Sequence, residues 1–103
     1  MPTITIEPAT HHKTKLYKAT IPLQEGPVEV YFGNRYYAQY PIHKDVTRKE
    51  NYIKRHQKRE NWNLSGITTP GFWSRWLLWN QPTIEDSIDD IKKRFNVDIK
   101  LIA

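Results

Sequence analysis

Residues 16–32 read Leu16-Tyr17-Lys18-Ala19-Thr20-Ile21-Pro22-Leu23-Gln24-Glu25-Gly26-Pro27-Val28-Glu29-Val30-Tyr31-Phe32, two alternating runs on either side of a glycine turn. Tyr17, Ala19, Ile21 and Leu23 fall on one side of the first run, with Lys18 and Thr20 opposite. Val28, Val30 and Phe32 repeat the pattern against Glu29 and Tyr31. Side chains alternate faces along a strand, so a period of two gives each run one face to bury and one to solvate. Gln24-Glu25-Gly26-Pro27 is turn chemistry, and the whole predicts a β-hairpin. Working outward, Thr3–Glu7 alternates with Ile4 and Ile6 on one face, while Val97, Ile99 and Leu101 form a last alternating run.

Between these strands the period changes. Asp45 is placed to cap a helix from Val46 to about Glu60, with Val46, Ile53 and His56 on its inner side. Asn61–Gly71 reads as a connector, and Gly71–Trp79 as a short turn or helix that is apolar on nearly every side except Ser74 and Arg75. Thr83 with Asp86 resembles a capping box, opening a helix whose Ile84, Ile88, Ile91 and Phe95 make a core stripe. Acids lead this helix and bases follow, as its dipole favours. Asp89–Lys93 and Asp90–Arg94 are spaced as i,i+4 pairs. The order strands, helices, strand predicts an α+β fold: a small antiparallel sheet, made of the N-terminal hairpin and the C-terminal strand, packed with two to three helices.

A chain of 103 residues fits one domain, residues 1–103. Four Trp, six Tyr and three Phe carry much of its packing, since each ring buries a large area. Cysteine is absent, which excludes disulfides, thiol nucleophiles and cysteine-ligated zinc. No apolar run approaches the ~20 residues of a membrane span, and no signal-peptide pattern opens the chain, so neither a membrane partner nor secretion is expected.

The net charge of +5 is concentrated rather than spread. Residues 35–60 hold eight Lys/Arg and three Asp/Glu, and 8 − 3 gives the whole excess. On a helical projection Arg48, Lys54, Arg55, Lys58 and Arg59 share one arc. A one-sided row of long cations suits a phosphate backbone, which needs only charge and reach. The competing reading is an ordinary solvated helix face. Arg35, Tyr36 and Tyr37, just upstream, are candidates to add a cation and stacking rings.

Trp62, Phe72, Trp73, Trp76 and Trp79 follow the basic helix, with Arg75 among them. Exposed rings beside cations stack single-stranded nucleic acid. Packing is the stronger reading for most of them, because a segment apolar all round lies between two layers or completes a partner's surface. Self-association through it is therefore a second candidate interaction.

His43, Asp45 and His56 bring acid–base groups near the basic run, the raw material of a magnesium-dependent phosphodiesterase. Their spacing matches no metal or nuclease motif, and Asp45 is already explained as a cap. His56 has Glu60 four residues on as a partner, and His11-His12 lacks a third ligand nearby. No catalytic residue, metal or cofactor is assigned.

Tyr40-Pro41-Ile42-His43-Lys44-Asp45, Arg48-Lys49, Tyr52-Ile53, Arg55-His56 and Lys58-Arg59-Glu60-Asn61-Trp62 recur as a pattern with Ser65-Gly66-Ile67, Gly71-Phe72-Trp73-Ser74-Arg75-Trp76-Leu77-Leu78-Trp79-Asn80 and Ile91–Phe95. This set resembles a family of small, functionally uncharacterised proteins encoded by giant viruses and other large DNA viruses of algae and protists. The resemblance covers about residues 32–95. It implies a viral protein, carried in the virion or located in the cytoplasm or nucleus of the infected cell, and it transfers no catalytic residues. Such viruses need basic proteins to condense or process DNA. The leading expectation is thus a nucleic-acid-binding protein acting through Arg48, Lys54, Arg55, Lys58 and Arg59. The alternative is a structural protein docking on a viral or host protein through its aromatic segment, and third is the metal-dependent nuclease.

Overall fold

In the computed structural model, which describes residues 3–36 and 39–102, the chain opens with β1 (Ile4–Pro8), β2 (Tyr17–Leu23) and β3 (Gly26–Phe32). The hairpin closes where predicted: Leu23 pairs with Gly26, leaving Gln24 and Glu25 as a two-residue turn. Gly26 takes a φ of 123°, a conformation open to glycine and strained for other residues. Ala19, Ile21, Val30 and Phe32 enter the core, and only the outermost member of the stripe, Leu23, stays exposed at the hairpin tip.

The α+β class holds, and the sheet is mixed. Its order is β3-β2-β1-β4, with β4 (Ile99–Leu101) alongside β1 in parallel. Ile4 pairs with Ile99, and the Ile4 N–H donates to the Asp98 carbonyl at 2.9 Å. β4 returns after all of the helices, entering beside β1 in the same direction, as a long crossover allows. Both antiparallel pairings belong to the first three strands.

The chain leaves β3 through Gly33, whose φ is 82°. A Cβ there would stand 2.8 Å from the Leu78 side chain, so the sheet edge and the tryptophan segment touch at this glycine. A short turn, α1 (Tyr40–His43), precedes α2 (Val46–His56). Asp45 caps α2 as predicted, accepting from the Thr47 and Arg48 N–H groups. Two expectations for α2 change. The buried side chain is Tyr52, not Val46, which is 55% exposed; the inner face is centred near Lys49, Tyr52, Ile53 and His56. The helix also stops at His56 rather than near Glu60. The Arg59 N–H turns back to the His56 carbonyl, so the chain leaves the helix axis and Glu60 reaches back to His56.

α3 (Pro70–Trp73) is capped by Thr69 and runs into a π-turn, Ser74–Leu78, closed by the Trp79 N–H on the Ser74 carbonyl. The wider turn matters, because Trp76, Leu77 and Leu78 are three consecutive buried residues. They pack against α4 (Ile84–Phe95), while the adjoining α3 meets β3. α4 begins at its Thr83 cap and ends on Asn96 in the left-handed region. Of its two spaced pairs, Asp90–Arg94 forms at 3.1 Å. Ile88 and Ile91 face the core with Phe72, Trp73 and the sheet residues Ile4, Ile6 and Phe32. No helix among the described residues is long and apolar enough to cross a membrane.

Candidate nucleic-acid interface

The five arc cations all lie on the surface, but not on one helix. Arg48, Lys54 and Arg55 project from α2, while Lys58 and Arg59 occupy the turn after it. None has a carboxylate partner among the described residues, where the ion pairs are Lys18 with Glu7 and Glu29, His56–Glu60, Lys92–Asp98 and Arg94–Asp90. Asp90 of α4 is engaged elsewhere, by Arg94 and Asn80. Burial pushes its pKa up, but hydrogen bonds from Arg94 and Asn80 outweigh that and hold it below the ordinary carboxylate value. Lys49, one position from Arg48, is spent internally: its ammonium donates to the Asn80 carbonyl at 2.6 Å and lies over the Tyr40 ring. This half-buried lysine pins α2 to the end of the tryptophan segment.

Arg35 stands apart from the arc. One guanidinium nitrogen donates to the Ala9 and Lys15 carbonyls at 2.7 and 2.8 Å, so it laces the 9–16 loop to the end of β3. Tyr36 is 74% exposed, with its hydroxyl 3.4 Å from the Lys13 carbonyl. Tyr37 lies outside the described residues.

The tertiary structure adds a cleft of about 960 Å³ against the inner edge of the arc. Arg48, Asn51, Tyr52, Arg55 and His56 of α2 form one wall. Gly71, Ser74, Leu78 and Trp79 form a second, and Lys15 with Gly33 and Asn34 a third. Lys15 comes from a polar loop with no periodic signal, and its position depends on Arg35 holding that loop. Sequence reasoning missed it for that reason. Within the cleft Tyr52 stacks on Trp79 at 4.5 Å and 3°, and on His56 at 4.3 Å and 24°. Burial, then the nearby Glu60 carboxylate, raises the Tyr52 hydroxyl pKa well above its ordinary value, so the ring stays neutral.

The tryptophan segment is mostly interior, as its composition suggested. Trp73 is fully buried and donates from its indole to the Ile67 carbonyl at 2.7 Å. Trp76 lies between two guanidiniums, with Arg75 4.3 Å and Arg94 4.4 Å from its ring centroid. Arg75 also donates to the Trp79 carbonyl, so this cation is built into the packing.

His43, Asp45 and His56 do not converge. Asp45 uses its carboxylate as the α2 cap, and the Tyr52 and Trp79 rings stand between His43 and His56. Among the described residues no group of three or more His, Asp or Glu side chains is arranged to hold a metal. His12 uses Nδ1 to accept from the Thr14 and Lys15 N–H groups, a loop-shaping role.

His43 Nδ1 accepts from the Asp45 N–H at 3.0 Å, and Nε2 is buried without a partner. Burial, then the Arg48 charge, lowers its pKa below the ordinary 6.5, with Asp45 opposing weakly. A depressed histidine pKa means the unfolded chain takes up the proton first, so the associated stability is present above pH 6.5 and drains away as pH falls below it. The melting temperature is therefore expected to fall more steeply between pH 7 and 5 in the native protein than in His43→Asn, whose amide oxygen can still accept from Asp45. Parallel curves would show that His43 is not the group responsible.

Residues 6–56, from β1 through the end of α2, match the model of a family of unknown function, DUF5754. The match includes Lys15, Arg48 and Arg55 and stops short of the tryptophan segment, and the family's description assigns no chemistry to them. No curated protein and no solved structure matches the chain.

Proposed function

We propose that this protein binds nucleic acid by its phosphate backbone, through Arg48, Lys54, Arg55, Lys58 and Arg59. The observation that carries the reading is that these five surface cations have no carboxylate partner among the described residues, while Asp90 is engaged by Arg94 and Asn80. A cation with no local partner retains its capacity to displace counterions from a polyanion, and that release dominates backbone binding. The setting implied by the sequence resemblance, a protein of a large DNA virus acting in the infected cell or packaged in the virion, belongs to the same proposal.

Counterion release sets the test. Five phosphate contacts at about 0.9 ions each give a log–log slope near −4.5, so affinity for a short duplex should drop about five-hundredfold between 50 and 200 mM salt. Fluorescence anisotropy with a labelled duplex measures this directly. No binding at 50 mM salt, or a slope near zero, rejects the proposal.

A further inference from the structure

We infer that the cleft beside α2 takes a single unpaired nucleotide, its phosphate facing Lys15, Arg48 and Arg55 and its sugar and base lying along the apolar wall of Pro70 and Trp79. The inference deepens the nucleic-acid reading and rests on it, since Arg48 and Arg55 belong to both surfaces.

Three observations point to this ligand class. The first is charge from separate parts of the chain. Arg48 and Arg55 are two helical turns apart, about 10 Å along α2, and Lys15 joins them from the loop before β2. The acid that lines the cleft makes no ion pair with them. Glu60 accepts the Trp62 indole N–H at 3.0 Å with one oxygen and contacts His56 Nδ1 at 2.9 Å with the other. Its carboxylate is seated against Gly71, where an added Cβ would lie 2.9 Å away.

The second is size and polarity. About 960 Å³ falls in the ~300–1,000 Å³ range of small-molecule sites and greatly exceeds a bare phosphate. Pro70 and Trp79 add apolar surface that an inorganic anion would not use, whereas a sugar and base would. The amide of Asn51 has no hydrogen-bond partner among the described residues, leaving a donor and an acceptor to meet a base edge.

The third is geometry. A paired base is held in its stack and cannot enter a cleft without being unpaired, whereas a base of a single strand or strand end is free to do so. The outer arc has no such restriction. Lys54, Lys58 and Arg59 do not line the cleft, so a strand crossing the arc can place one nucleotide inside while its neighbours stay on the surface.

The test separates the two surfaces. Asn51→Trp fills the cleft without changing charge, and Lys15→Gln removes a cleft cation that is not on the arc. Both are measured by anisotropy with a blunt duplex and a single strand, with AMP, inorganic phosphate and 5′-phosphorylated or unphosphorylated single strands as competitors. Each variant should weaken single-strand binding about fivefold at 0.1 M salt, roughly one single-strand phosphate contact, and leave duplex affinity within twofold. Competition by AMP well below the concentration of phosphate needed supports a nucleotide site, and a preference for the 5′-phosphorylated strand identifies a strand end as its source. Equal competition by phosphate and AMP overturns the nucleotide assignment. Unchanged single-strand affinity in both variants overturns the cleft and leaves the arc standing. Cleft binding of AMP with no duplex binding overturns the arc instead, and binding of neither overturns both.

Discussion

Trp73→Ala is expected to unfold the protein or bring it to the edge of unfolding. The ring is fully buried, packs edge-on against Phe72 at 5.2 Å and lies 6.1 Å from Phe32 of β3. It therefore helps join the sheet to the helical layer. Removing a buried Trp side chain costs about 3–5 kcal/mol through lost transfer energy and the remaining cavity. The indole also donates to the Ile67 carbonyl, and leaving that acceptor unpaired adds about 1–3 kcal/mol. Domains of this size hold about 5–15 kcal/mol in total, so the sum is comparable with the whole. Urea unfolding followed by circular dichroism measures it, with Tyr36→Ala as a surface control expected to stay within about 0.5 kcal/mol. A Trp73→Ala midpoint close to the native one would mean that this ring does not help join the layers.

The second large effect concerns binding. Lys54→Glu/Lys58→Glu/Arg59→Glu is expected to cut duplex affinity by at least 10²–10³-fold at 0.1 M salt. Each lost phosphate contact removes about 0.9 of a decade there, so three give roughly five-hundredfold before repulsion from the new carboxylates is added. The three side chains are exposed, lie outside the cleft and have no ion-pair partner among the described residues, so folding should be unaffected. The salt slope should also become shallower by about 2.7. A loss of affinity at unchanged slope would point to a structural effect and count against phosphate contact by these residues.

Much of the fold was readable because its determinants are local. The β2–β3 hairpin lies within 17 to 32, where period and turn chemistry sit side by side. α4 has its cap, core stripe and terminal charges within its own 12 residues. The arc was readable in the same way, as an uneven distribution of charge over a quarter of the chain. Where the reading of α2 slipped, the reason is tertiary. Val46 has the hydropathy of a core residue, but α2 turns its Tyr52 side toward Trp79, and an aromatic stack buries more than a valine does. The helix ended at His56, where the Arg59 N–H turns back to the His56 carbonyl and the chain runs on to seat the Trp62 indole on Glu60, a contact that hydropathy period does not record.

The chain's alternation, caps and charge distribution by themselves determined the class of fold, the existence of the hairpin and of α4, and the segregation of cations at residues 48–59. These depend on neighbours a few positions away. Only the tertiary structure decided that β4 lies parallel to β1, that Lys49 turns inward while Arg48 stays free, and that Lys15 lines the same cleft as Arg48 and Arg55. Each of these depends on contacts between residues some thirty to ninety-five positions apart. Their energies come from burial and pairing across the assembled layers, and no local period records which distant partner a side chain will meet.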